Sequence, residues 1–431
     1  MAPAGRVVAI ALVLLLALTA CRGQLTPTPA APAPGPAPDA TATAPAADVA
    51  EAAAETPTPT PVTGTVTLWH SWSGAEGDAL SAILAALQTT LPGVTVQTLF
   101  VAPNDLTTSY VEAVGRGGGP DLVIAPNWYL ADVVAANAAR PLDDLIPAEA
   151  RSRFLPATVE SLTINGALYG LPLDYNLVAL YVNRSLLPQD GLAASTTALL
   201  ETATVTPSAG IGIYANLLHV IWGVPAFGGQ FLDAQARAAL DQTDGAAAFL
   251  TWLVALNRTP GSYVDQDYGM LLDRFTKAEF AYFVDGPWAA PQLSAALGDD
   301  LLVVPLPDGP AGPARPWLYS DGIFLNPTTP TDRLPAALAL AQGLTSSAAG
   351  TELAKTGGLL PAALGADLGD NPLLAGFARQ AETAAVMPIG PAMQEVWAYG
   401  GDMIIKALAG VNTPQEIVAE TTALINDAIG P

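Results

Sequence analysis

Apolar positions along this chain alternate between a two-residue and a 3.6-residue rhythm. Thr65–Trp69 reads as a short strand. Behind it, Ser73-Gly74-Ala75-Glu76 has the S-x-x-E form of a helix capping box. Leu80, Ile83, Leu84, Leu87 and Leu91 then fall on one face of the helix it would open. Pro92-Gly93 ends that helix, and Val94–Phe100 reads as the next strand. A second helix over 104–114 leads through the glycine-rich 115–119 to a buried strand beginning at Asp121. Asn165-Gly166 is a strong hairpin signal. Further strands are predicted at 177–182, 210–214, 280–284 and 301–305, with helices near 243–256 and 268–277. The last third reads as helical, with Asn371-Pro372 as cap and first-turn proline and Thr413-Pro-Gln-Glu416 as a second capping box. This order predicts an α/β protein whose sheets are mostly parallel and flanked by helices. No repeat of fixed period is visible.

The first 61 residues follow neither rhythm. Val7–Leu18 is an apolar run preceded by Arg6, its only charged neighbour, and followed by small residues. That is the layout of a signal peptide, expected to span 1–20. Its end, Leu18-Thr19-Ala20-Cys21, resembles the bacterial lipobox, which implies a lipidated Cys21 as the first mature residue. From Arg22 to Pro61, 10 Pro, 13 Ala and 7 Thr make up 30 of the 40 positions. Such a segment favours extended polyproline conformations and reaches about 120 Å when stretched. Residues 21–61 are therefore expected to be a stalk, and the remaining body is long enough for two lobes at about 150 residues each.

Charge and composition narrow the chemistry. Only 13% of residues are charged, yet the formal net charge is −23, and Lys277, Lys355 and Lys406 are the only lysines. Nucleic-acid binding and adsorption to an anionic membrane both require basic clusters, so neither is expected. With one cysteine there is no intrachain disulfide, thiolate zinc cluster or CxxC pair. His70 and His219 are the only histidines, far apart and outside any metal-spaced motif. Neither a G-x-S-x-G elbow nor an S-x-x-K motif occurs. No catalytic residue, metal site or cofactor is predicted.

Aromatic and polar residues do recur where strands give way to loops, the position at which open α/β sheets hold ligands. Trp69-His70-Ser71-Trp72-Ser73, Asn127-Trp128-Tyr129, Gly286-Pro287-Trp288, Trp317-Leu-Tyr-Ser-Asp321-Gly322 and the Met387…Trp397 segment make up this set. Flat rings stack on the apolar faces of sugars, while Asp and Asn accept hydroxyl hydrogen bonds. Neutral polyols also need no basic pocket.

The same segments carry a family resemblance. Gly64-Thr-Val-Thr-Leu-Trp69-His-Ser-Trp72, Gly119-Pro-Asp121-Leu-Val, Asn165-Gly-Ala-Leu-Tyr-Gly170-Leu-Pro172, Leu180-Tyr-Val-Asn183, Val284-Asp-Gly286-Pro-Trp288 and Met387…Trp397 resemble, in order and spacing, the bacterial extracellular solute-binding proteins of the maltose-binding type, over about residues 62–425. The resemblance implies a two-lobed, Venus-flytrap periplasmic-binding-protein fold. The lobes are expected at 62–174 with 322–375, and at 175–321 with 376–431. Chain crossings are expected near Asp174–Asn176, Ser320–Gly322 and 370–375. It further implies a non-enzymatic, exported, monomeric protein, held at a membrane by its lipid anchor, that delivers a small solute to the permease subunits of an ABC transporter. Trp288 and Trp397 match the family's stacking tryptophans, Asn127 and Trp128 its polar cleft loop, and Asn176 a crossing-strand contact. His219 falls where that family has an aromatic ring. The first-strand acid and base of maltose-binding proteins align with Ser73 and Gly74, leaving Trp72 as the replacement contact. Tyr175, Trp317 and Asp321 complete the expected ligand-binding set, while Asp121 is expected to be structural. These departures point away from maltose itself and leave three readings open. One is a sugar or oligosaccharide receptor, another the same fold serving a different solute or a sensor, and the third a surface carbohydrate-active enzyme.

Overall fold

The structure is a computed structural model that describes residues 62–188, 191–390 and 392–430. The expected signal peptide, Cys21 and the stalk lie outside the described residues. Two five-stranded sheets organise the rest. The first runs in the order Val94–Phe100, Gly64–His70, Leu122–Pro126, Asp321–Leu325, Gly170–Pro172. The second runs Tyr263–Asp265, Ile211–Tyr214, Tyr282–Asp285, Ala179–Asn183, Leu301–Val304.

Both sheets follow one plan: three parallel strands, then two antiparallel pairings made by a strand that returns from elsewhere in the chain. Gly64–His70 is parallel to both its neighbours, and Asp321–Leu325 is antiparallel to both of its own. In the second sheet Ala179–Asn183 plays the antiparallel part. The sheets are thus more mixed than the strand–helix alternation predicts. The cause is long-range: a strand arriving from the other lobe is under no obligation to make a right-handed βαβ crossover.

Side-chain alternation buries both faces of each sheet. Leu122 and Ile124 face one core of the first lobe with Val66, Leu68 and Ile323, while Val123 and Ala125 face a second with Tyr110 and Phe324. In the second lobe Leu180, Val182, Ile211 and Val284 point to one side, and Tyr181, Phe283 and Val303 to the other.

Of the three helix starts predicted from sequence, two cap as expected and one does not. Asn371 accepts from the backbone N–H groups of Leu373 and Leu374, and Thr413 and Glu416 form the reciprocal capping box. The Asn165-Gly166 hairpin forms, with φ of 51° and 82° at its two turn residues. At Gly74–Thr90, however, Ser73 makes no side-chain capping bond. Gly74 opens that helix at φ +55°, a left-handed geometry, and Glu76 is left free of a capping role.

Three stretches zip together between the sheets. Asp174–Tyr175 pairs antiparallel with Leu360–Pro361 on one side. On the other, Asn176 and Tyr319 exchange backbone hydrogen bonds of 2.8 and 3.0 Å. The helix Pro372–Ala381 packs on the second sheet through Leu374 and Phe377, and the expected boundary at 375/376 falls inside it.

Candidate functional site

The strand ends of both sheets open onto a cleft. The register opposes Asp321 to Pro126, so Asp321 lies at the same end of the first sheet as Trp128, which follows Leu122–Pro126. Glu76 occupies the first turn of the helix after Gly64–His70, and Trp288 follows Tyr282–Asp285. These residues meet around a cavity of about 680 Å³, together with Asn176 and Tyr319 of the zipped segments. A second cavity of about 600 Å³ adjoins it, walled by Tyr129, Asp132, Met393, Gln394 and Trp397. Trp128 borders both. Each volume is within the range of small-molecule sites.

The rings are held out for contact by packing behind them. Trp128 is 42% exposed and Trp288 41%. Tyr319 meets Trp128 edge-on at 5.1 Å. Trp288 lies against Gly286 so closely that a Cβ there would come within 2.1 Å of the ring. His219 abuts the edge of Trp288 at 6.0 Å. It is fixed in turn by Asn216 Oδ1 at 2.8 Å from Nδ1 and by Asp285 Oδ1 at 3.2 Å from Nε2. Tyr268 donates its hydroxyl to Asp285 Oδ2, and burial plus the Asp285 charge push the phenol above its usual range. Buried Trp317 backs Trp397 edge-on at 5.5 Å.

Three carboxyl groups gather at the floor. Trp72 Nε1 donates to Asp321 Oδ2 at 2.8 Å, and the Asp321 backbone N–H donates to Asp174 Oδ1 at 3.1 Å. Burial pushes the Asp321 carboxyl up to about 6, against the opposing pull of the Trp72 N–H. Burial followed by the neighbouring Asp321 charge raises both Glu76 and Asp174 above the ordinary carboxylate range. Among the described residues none of the three forms an ion pair, and neither cavity is lined by Lys, Arg or His. No group of three or more His, Cys, Asp or Glu among the described residues is arranged to hold a metal ion.

The ten side chains expected from sequence thus divide in two. Trp128, Asn176, Trp288, Asp321 and Trp397 line the cavities. Trp72, Asn127, Tyr175, His219 and Trp317 are buried behind them. Trp72 offers its indole N–H to Asp321 rather than a free face. Asn127 is fully buried and bonds Ser161 and Ser320, and Tyr175 sits inside the zipped ribbon. Glu76 and Tyr319 are lining residues that sequence reasoning missed. Glu76 was absorbed into the capping-box motif. Tyr319 stands two residues from both Trp317 and Asp321, a spacing that would have placed it on their side of an extended segment. Asp121 is structural: its Oδ2 accepts from the Thr67 N–H and hydroxyl, and Arg333 pairs with it at 3.3 Å.

Comparison with known proteins agrees with this architecture. Residues 82–385 match the family of bacterial extracellular solute-binding proteins. A maltotriose-binding protein of Pyrococcus abyssi is 24% identical over 349 residues, 78% of this chain and 75% of that protein. Among solved structures, the cyclic α-maltosyl-1,6-maltose-binding protein of Arthrobacter globiformis superposes with a TM-score of 0.76 at 20% identity, covering 85% of this chain and 99% of that one. The Thermus thermophilus maltotriose-binding protein, bound to maltotriose, gives 0.68 at 23% identity over 85% of this chain and all of that one. At such identities the structures establish the shared fold, and the family match covers well over half of the chain. The chain therefore belongs to the bacterial extracellular solute-binding proteins, which hold a solute outside the cytoplasm rather than transform it.

Proposed function

We propose that this protein captures a sugar or oligosaccharide by closing its two lobes and hands it to the permease subunits of an ABC importer, while a lipid on Cys21 tethers it to the outer face of the cell membrane. The observation that carries the reading is the triad of partly exposed indoles, Trp128, Trp288 and Trp397, set around two adjoining cavities with carboxylates and amides and no basic side chain. Rings of this kind stack on pyranose faces, and the polar groups take up hydroxyls. The ligands for which the similar proteins above are named, maltotriose and a cyclic maltosyl-maltose, support the same class.

The lobes would be joined at 174–176, at 319–321 and at the Leu360–Pro361 strand, a ribbon narrow enough to flex. Ligand contacts to both lobes then favour the closed arrangement by their differential energy. Micromolar affinity corresponds to about 8 kcal/mol, and loss of one stacking ring costs about 2–4 kcal/mol of it. Calorimetry of the protein against a saccharide panel is expected to yield a binder whose affinity falls at least tenfold in Trp288→Ala and in Trp397→Ala, with melting behaviour preserved. Wild-type affinity in both variants would remove these rings from the site. A panel without any saccharide ligand would retract the sugar assignment.

A further inference from the structure

Taking the solute to be a saccharide, as above, we propose that it carries a protonated amine, whose ammonium group sits between Asp321 and Glu76 in the larger cavity while Trp128 and Trp288 cover its ring faces. The two cavities are lined by Glu76, Asp321 and Asp132, with Asp174 directly behind Asp321, and by no cationic side chain among the described residues. The aromatic walls are an independent feature of the same space. Trp128, Trp288 and Tyr319 line the same cavity as Glu76 and Asp321, and ring faces attract cations within about 6 Å.

The hydrogen-bond inventory points the same way. Asp321 Oδ2 takes the Trp72 N–H, whereas Oδ1 receives no protein donor among the described residues. The Glu76 carboxyl receives none either, although it lines the cavity. Neutral hydroxyls would supply donors to these oxygens but leave the like charges facing one another. Closing the lobes would then strip away the water that screens them and strengthen the repulsion. An ammonium supplies up to three donors and neutralises one charge as well. The carboxyl groups do not converge as metal ligands, which favours an organic cation over an ion such as calcium. Over the whole chain, a net charge of −23 also draws cationic solutes toward the protein.

The test is calorimetry of the full chain against paired saccharides: glucose with glucosamine, and neutral β-1,4 and α-1,4 glucose trimers with the fully deacetylated glucosamine trimer. Spermidine serves as a cation without a sugar. Amine-bearing members are expected to bind at least about tenfold tighter than their hydroxyl counterparts. Asp321→Asn and, separately, Glu76→Gln should bring that ratio close to one, each with a cooperative melt that certifies folding. Neutral members binding as tightly as the amines would overturn the amine while leaving the saccharide reading in place. Spermidine binding with no saccharide of either kind, or no binding at all, would retract the saccharide reading and the amine with it. A preference for the amine that survives both substitutions would overturn the placement between Asp321 and Glu76.

Discussion

Asp321 is a measurable source of pH-dependent stability in the ligand-free protein. Its carboxyl is displaced from 3.8 to about 6 by burial. The folded state therefore binds more protons than the unfolded chain across that interval, so stability falls as pH rises through it. The full displacement corresponds to about 3 kcal/mol, present as a destabilisation above pH 6 and relieved as pH drops toward 4. Between pH 8 and pH 5 the gain on acidification is about 1.4 kcal/mol from this group alone. Glu76 and Asp174 are raised too and add to it with the same sign. Asp143 and Glu416 are lowered from 3.8 and 4.5, so their stabilisation is lost as pH falls below those values, under this interval; His70, lowered from 6.5 by burial, opposes Asp321 within it, equally in wild type and variant.

Asp321→Asn keeps an acceptor for the Trp72 N–H and removes the charge. Urea unfolding at pH 5 and pH 8, followed by tryptophan fluorescence, is expected to show two effects. The variant should be more stable than wild type at pH 8, and the gain on acidification should shrink by more than Asp321's own share, because Glu76 and Asp174 lose their charged neighbour. Loss of net negative charge on acidification stabilises both proteins alike, so the difference between them isolates the cleft. An unchanged slope in the variant would refute the assignment of the pH dependence to these carboxyls.

Trp72→Phe removes the one side-chain donor among the described residues that opposes the rise of Asp321, so the midpoint of the same pH profile should move upward; an unmoved midpoint would mean that this bond carries no electrostatic weight. Gly376→Ala reverses the usual helix preference. The new Cβ would lie 2.2 Å from the Val303 carbonyl oxygen, so a loss of about 1–3 kcal/mol is expected in denaturant melts where an ordinary helix glycine gains about 1. Cys21→Ser should shift the protein from the membrane fraction to the soluble exported fraction, and full retention at the membrane would exclude the lipid anchor.

Local rules carried most of the fold. Strand 94–100 and the caps at Asn371 and Thr413 are written in alternation and in short-range donor–acceptor chemistry, so they are legible from neighbouring residues alone. The mixed sheets were not, because the antiparallel strand Asp321–Leu325 joins Leu122–Pro126 from nearly 200 residues away. The site divides along the same line. A strand-to-loop junction identifies a segment, but which of its side chains faces the cleft depends on a packing partner from the other end of the chain. Asn127 and Trp128 are adjacent, yet one is sealed by Ser320 and the other is open to both cavities.

The S-x-x-E sequence at Ser73–Glu76 makes the point from the opposite side. Thr413-Pro-Gln-Glu416 has the same form and closes its box. Residue types cannot separate the two, since both offer a hydroxyl and a carboxylate at the required spacing. The difference lies in the intervening residue: proline at position 414 pre-sets a right-handed first turn, whereas Gly74 adopts φ +55°. Released from the cap, Glu76 turns to the cleft, where a second acid already stands at Asp321. A helix start that gives up its stabilising box and accepts like-charge repulsion in exchange is a local rule broken at a functional site, and broken rules of that kind are where a binding surface is to be sought.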